Sequence, residues 1–432
     1  MPLSQRTNRW ITIAIIICAG EAIFSIPYHI TRFFRPTFLE VFELSATELG
    51  VAQGAYGIVA VGAYFFGGPL ADRFEARTLL STSMWITSLG GLYLATFPNM
   101  LGVTLVYGFF GLTTVLLFWA ALIKVTRSWG GADSPGLAYG LLDGGRGLLA
   151  ALIGSVAVFI FSLSFPLGYD AATLTDKRTV LTQVIYGYTT VTALIGLAVW
   201  FALKGLSDTS TSNHRAVFGQ IRNVIRMPIV WVHSTIVVCA YTSYLAFDQY
   251  ALFAVRGHGI DPIDAAQLVT IGAWTRPIAA LVLGLIGDRF GISRMTFICF
   301  IMLIGSHSFF AFTGESMGLF SIITMNTLVT GIAIFGLRGL YFALLQEGQI
   351  PMSITGTTVG LVSVIGFLPD IYVAALAGYL VDRTPGLGGF QDLFLVLLVF
   401  SIIGAGATMM FRMTANKTKK NMTEITANGI LG

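Results

Sequence analysis

Gly68-Pro-Leu-Ala-Asp72-Arg73-Phe-Glu-Ala-Arg77 closes one long apolar run, and Gly284-Leu-Ile-Gly-Asp288-Arg289-Phe-Gly291-Ile-Ser-Arg294 closes another. The two aspartates stand half of the 432-residue chain apart. A single G-x-x-x-D-R is a weak signal, but two copies at matching places point to a duplicated helical unit. Each copy reads as a hinge between consecutive helices. The glycine allows close helix contact, the aspartate accepts from a neighbouring helix N-terminus, and the arginines hold the turn on one side of a membrane.

Composition supports a membrane setting. Hydrophobic residues make up 55%, charged residues only 11%, and mean hydropathy is +0.79. A soluble domain carries about 25% charged residues, so this chain lacks the charges for a water-facing surface. A span needs about 20 apolar residues to cross a core of about 30 Å. Scanning on that basis predicts an all-α membrane protein with twelve transmembrane helices, at 10–31, 46–70, 79–97, 101–125, 136–163, 180–203, 228–254, 263–286, 295–313, 317–342, 354–380 and 391–412. The polar, basic stretch 204–227 divides 1–203 from 228–412 as two six-helix halves, and 413–432 reads as a short cytoplasmic tail without fixed structure.

Charge placement sets an expected orientation. Sixteen of the 25 Lys and Arg fall on the side of the termini, against six (Arg32, Arg35, Lys177, Arg178, Arg256 and Arg383) on the other and three inside spans. Both termini are therefore expected in the cytoplasm, in a multi-pass protein of the bacterial inner membrane. Arg6 and Arg9 precede the apolar run from Trp10 with no small-x-small cleavage site, so the first helix reads as uncleaved. Cys18, Cys239 and Cys299 form no C-x-x-C pair, and no histidine pair has metal-ligand spacing; no metal and no cofactor is expected. The basic residues are not interleaved with aromatics in a nucleic-acid patch. Gly144-Gly145-Arg146-Gly147 follows no strand, and nothing resembles a Walker A sequence, which argues against an ATP-driven pump.

The doubled motif resembles the Major Facilitator Superfamily, whose loop between helices two and three carries G-x-x-x-D-[RK]-x-G-[RK]-[RK]. The first copy departs from it with Glu75 where the second keeps Gly291. The resemblance covers essentially the whole chain. It implies two pseudo-symmetric six-helix halves, alternating access, a monomer, and a substrate site at the midplane between the halves. Within the superfamily, Arg32 with Trp10 and the Pro-Tyr-His run is similar to the organophosphate/phosphate antiporter and anion/cation symporter branches. So is Lys124-Val-Thr-Arg127-Ser-Trp129-Gly followed by Gly136-Leu-Ala-Tyr-Gly140. Ser243 stands where those antiporters carry a second arginine, so the two-arginine phosphate clamp does not carry over.

Ionisable groups at the bilayer centre cost several kcal/mol and are functional candidates by default. At 1.5 Å per residue, Glu21 lies about 16 Å into helix one, Asp370 about 18 Å from the outer end of helix eleven, and Asp248 about 12 Å in on helix seven. Arg276 also falls near mid-membrane, and Arg338 about 13 Å from Glu347 on helix ten. For Glu21 and Asp370 two readings stand: a proton-loading acid, or a static ion pair with Arg276 or Arg338. Arg276 is read either as an anion contact through its planar fork or as a neutralising partner. Asp143 and Arg146, at i and i+3, read as a self-compensating pair or an inner gate. His233 and His307 read as structural. Tyr28, Tyr56, Tyr241, Tyr244, Trp274, Tyr341 and Tyr372 are aromatics at cavity depth, and Asn326 needs a polar partner.

The leading expectation is a secondary transporter, not an enzyme, that moves a small anionic organic solute with protons. Glu21, Asp370 and Asp248 would be the coupling or binding acids, with Arg32 and Arg276 as anion contacts. Two rivals remain: an exporter of drugs or metabolites, disfavoured by the missing Pro-Gly signature in 148–163, and a transporter-like sensor, for which no extra soluble domain speaks.

Overall fold

A computed structural model describes residues 3–130, 135–204, 222, 224–314, 320–350 and 352–429, and these are helices joined by short turns. Eleven segments are long and apolar enough to cross a membrane: α1 Arg9–Phe33, α2 Ala46–Ala71, α4 Met100–Thr126, α5 Leu141–Leu163, α6 Leu174–Ala202, α7 Pro228–Gly257, α8 Pro262–Phe290, α9 Ile292–Phe312, α10 Phe320–Leu340, α11 Thr358–Arg383 and α12 Leu387–Lys417. The expected span at 79–97 is present as the 19-residue helix Ala76–Leu94, α3. Its apolar character is diluted by hydroxyls that serve packing. Ser83 donates to the Thr113 carbonyl at 2.8 Å, Thr87 to the Thr113 hydroxyl at 2.8 Å, and Ser88 to Met84 and Thr189 carbonyls.

Several expected boundaries move. A Thr173–Asp176 capping box starts α6 six residues early, so Lys177 and Arg178 lie in a helix and not in a loop. The last helix runs on from α12 to Gly429, which overturns the expectation of an unstructured tail. Residues 413–428 hold no Gly or Pro to stop a helix. Most of the expected linker, 205–221 and 223, lies outside the described residues. Arg32 and Arg35, counted among the outer loop charges, are both buried.

Two contrasting ends frame the molecule. At the end away from the termini, α2 and α11 meet backbone to backbone. A β-carbon on Gly50 would stand 2.3 Å from the Ala374 carbonyl oxygen, and one on Gly378 would stand 2.2 Å from that of Ala46. At Gly57 it would lie 2.4 Å from the Asp370 carbonyl carbon. Only glycine permits this approach. Asp382 adds a polar latch, accepting from the Thr47 N–H and hydroxyl at 2.7 Å each and from Arg256 at 3.2 Å. Toward the termini the seam parts: Gly62 and Gly68 of α2 would meet nothing within 4 Å.

The two motif copies sit at the termini end, and their glycines do not take the expected role. Gly68 and Gly284 face open space, so neither makes the close helix contact expected of it. Asp288, Arg289 and Arg294 are exposed, and the Asp72 side chain lies outside the described ones. At the start of α9 the acid that accepts from the helix N-terminus is Glu347, which takes the Ser293 N–H at 2.7 Å. Arg73 lies over the Phe74 ring, while Arg77 lies over Trp200 at 4.3 Å and 3.7 Å from Glu75. Lys124 donates to the Ala71 carbonyl at the end of α2, and Arg9 and Trp129 exchange backbone contacts at 2.9 and 2.7 Å. Side chains 131–140, which include Gly136 to Gly140, are outside the described set. Gly291 has φ +103°, a conformation that needs glycine, whereas Glu75 is extended at φ −60°. That difference is why the first copy tolerates a glutamate.

Candidate functional site

Near mid-membrane the helices lose regularity, and the polar residues collect at these breaks. A π-helical turn spans Ser25–His29 in α1, and another spans Leu112–Trp119 in α4. Phe247–Gln249 is a 3-10 turn in α7. Trp274 interrupts α8, and Phe367–Leu368 interrupts α11. Proline contributes to two of them: Pro27 has no N–H for the α1 ladder, and Pro369 opens the second half of α11. Such discontinuities turn backbone dipoles and side chains toward an interior cavity.

That cavity has a volume of about 90 Å³ and is lined by α1, α2, α4, α5, α7, α8, α10 and α11. Glu21, Arg32, Arg146, Tyr241, Arg276, Arg338 and Asp370 all line it; of the remaining expected residues, Asp143 borders it through Arg276 and Asp248 through Arg32.

Glu21 is the centre of a cationic cage and is 3% exposed. Arg146 Nε donates to Oε2 at 3.2 Å, Arg276 Nη1 donates to Oε1 at 3.3 Å, and His29 Nε2 lies 3.2 Å from Oε1. The expected pairing inside α5 is not formed. Arg146 turns to Glu21, stacked against Phe24 and Trp119, and Asp143 lies 3.8 Å from Arg276. The reason is burial. Glu21 is almost wholly buried, so it draws two guanidinium groups, while half-exposed Asp143 needs less.

A second ion pair joins α1 to α7: Arg32 Nε donates to Asp248 Oδ1 at 2.5 Å and Nη2 to the Tyr244 hydroxyl at 3.1 Å. Arg32 and Asp248 are 216 residues apart, the same offset as Asp72 and Asp288. The duplicated scaffold thus sets opposite charges at equivalent depths, one in each half of the sequence.

Asp370 and Arg338 differ from both pairs. Asp370 accepts from the Tyr241 hydroxyl at 3.0 Å and sits in the first turn of the helix Pro369–Arg383, at its positive end. Arg338 lies over the Tyr244 ring at 4.1 Å and the Tyr241 ring at 5.9 Å. Among the described residues, no cation lies within 4 Å of Asp370 and no carboxylate within 4 Å of Arg338. The cavity therefore presents one acid and one base that are held without ionic partners.

Of the expected aromatics, Tyr28, Tyr56, Tyr241 and Tyr244 line the cavity. Trp274 instead donates to Ser155 at 3.0 Å. His233 meets the Tyr341 carbonyl at 2.6 Å, His307 meets Ser401 at 3.0 Å, and Asn326 donates to the Ser306 carbonyl. His29, Tyr64, Trp119 and Phe367 are lining residues that the sequence reading passed over. His29 was hidden because an α-helical count puts it off the Glu21 face; the wider π turn brings the two together.

Residues 11–369 match the sequence profile described as Major Facilitator Superfamily. The chain is 27% identical over 397 residues to "Inner membrane protein YqcE" of Escherichia coli K12, covering 90% of this chain and 91% of that one. It is 23% identical over 434 residues to the nitrate/nitrite transporter NarU of the same organism, covering 92% and 90%. A bacterial homologue of the human lysosomal transporter Spinster, solved inward-facing and unoccupied, shares the fold at TM-score 0.71 and 14% identity, over 96% of this chain and 98% of that one.

Proposed function

The chain belongs to the Major Facilitator Superfamily and is a multi-pass membrane transporter; from that premise we propose that it moves a small organic anion together with protons across the bacterial inner membrane by alternating access. The observation that carries this reading is the unpaired couple Arg338 and Asp370 in one cavity. Arg338, held by tyrosine faces, keeps its N–H groups for a carboxylate or similar group on the cargo. Asp370, with a tyrosine donor and a helix N-terminus but no cation within 4 Å, is the acid whose protonation costs no ion pair. Arg32, Arg146 and Arg276 serve as struts in this scheme, since each already spends its charge on a carboxylate. NarU is by its name a carrier of small anions, in keeping with an anionic cargo.

The bias of Lys and Arg toward the termini side supports cytoplasmic termini. The backbone seam between α2 and α11 then closes the periplasmic side, an inward-facing state. Residues 1–203 and 228–412 are the two rocking halves, joined by 204–227, and the working unit is a monomer. Thermal stabilisation of the purified protein by organic acids, sugars and phosphates, at pH 5.5 and 7.5, tests the reading. Stabilisation by organic acids, followed by their uptake into proteoliposomes under an inward proton gradient, is the expected result. Stabilisation only by neutral or cationic compounds would overturn it.

A further inference from the structure

The short helix Arg35–Phe42 follows α1 at the end away from the termini, and its first residue is among the largest fully buried side chains of the described residues. Arg35 is 0% exposed. Its Nη2 donates to Gln53 Oε1 at 3.0 Å, and Gln53 in turn donates to Thr31 at 3.2 Å. Its Nε and Nη1 have no hydrogen-bond partner among the described residues, which leaves three N–H groups unmatched.

Arg35 lines a chamber smaller than the central cavity, of about 20 Å³, room for one small ion, which lies beyond the Arg32–Asp248 pair and against the α2–α11 seam. Gln249 lines the same chamber, is 2% exposed, and also has a buried amide oxygen without a partner. Which end of that amide faces the chamber is a matter of a half-turn of the side chain. Arginine does not give up its proton inside a protein. A buried guanidinium with only a neutral amide as partner is therefore several kcal/mol short of compensation. Of the two carboxylates beside the chamber, Asp248 is already matched by Arg32 at 2.5 Å. Asp370 is held by Tyr241.

We infer that this chamber is a binding site for a small monovalent inorganic anion of the size of chloride, bromide or nitrate, held by the Nε and Nη1 of Arg35 and the amide of Gln249. The site adjoins the cargo cavity, sharing Tyr28, Leu245 and Asp370 with it, but its cation is Arg35 where the cavity's available cation is Arg338, and it does not depend on what that cargo is. Because the chamber abuts the closed seam, an anion there adds its binding free energy to the state in which α2 and α11 touch.

The test compares unfolding midpoints of the purified full chain in sodium chloride, bromide, nitrate and gluconate at constant ionic strength; gluconate is too large for the chamber. Saturable stabilisation by the three small anions over gluconate is expected. In Arg35→Gln the apparent Kd for chloride should rise at least about tenfold, whereas Arg338→Gln should keep it within about twofold. Anomalous scattering from bromide in crystals of the unmodified protein gives a second readout that needs no variant, with a peak expected within hydrogen-bond reach of Arg35. Equal stabilisation by chloride and gluconate overturns the inference. So does a chloride effect lost in Arg338→Gln but kept in Arg35→Gln, or bromide found only in the central cavity.

Discussion

Glu21 and Asp370 are both carboxylates near the middle of a membrane helix, yet their surroundings differ in kind. Glu21 is enclosed by Arg146, Arg276 and His29, drawn from α5, α8 and its own helix. Asp370 has a tyrosine hydroxyl and the opening turn of a half-helix. An acid caged by fixed cations is a strut, because removing its charge strands the cage. An acid steadied by dipoles keeps a choice of charge state, because its neutral form strands nothing. The depth of an acid in a span therefore says that it matters, and the identity of its neighbours says how.

Replacement of Glu21 should give the largest effect. Glu21→Leu leaves buried Arg146 without a carboxylate and Arg276 with Asp143 alone, and should cost about 3–5 kcal/mol of stability, read by denaturant unfolding in detergent. A near-native midpoint would erase the distinction drawn here. Asp370→Asn should fold to within about 1 kcal/mol of the parent, lose proton-driven accumulation, and retain counterflow exchange of the same solute. Loss of exchange as well would move Asp370 from coupling to binding. Arg338→Gln should raise the KM for an anionic cargo by about 10- to 100-fold, the worth of one or two charge-assisted hydrogen bonds. An unchanged KM would return the anion contact to Arg276 or Arg32. The smallest change belongs to Tyr241→Phe, which removes one donor to Asp370. Uptake should stay coupled, with the midpoint of its pH dependence moved by about one unit or less.

The repeated Gly-x-x-x-Asp-Arg made the fold legible, and apolar length located all twelve expected spans, though not the early start of α6, the run of the last helix to Gly429 or the short helix Arg35–Phe42. The chemistry proposed for that motif was not legible, because which acid caps which helix depends on loop geometry: Glu347, near the end of α10, reaches Ser293 at the start of α9. Charge type and depth singled out Glu21, Arg32, Arg276, Arg338 and Asp370, which all line the cavity. Their pairing could not be read, since Arg146 reaches Glu21 across 125 positions and Arg276 reaches it across 255. Arg35 was taken for a loop charge because it follows the end of the first span, and only the three-dimensional packing of Gln53 and Gln249 around it shows a buried cation. One signal lies in the sequence itself: Leu368-Pro369-Asp370 is a helix start, proline followed by an acid, written inside an apolar span.

The glycine and alanine contacts between α2 and α11 have a calorimetric meaning. Where two backbones touch directly, parting them wets peptide groups and methyls and few large apolar side chains. Apolar wetting raises heat capacity and polar wetting lowers it, so the two contributions oppose each other along Gly50, Gly57 and Gly378. The balance between the closed and open states of that seam should accordingly drift little with temperature. A seam built from leucine and phenylalanine would tighten on warming and loosen in the cold.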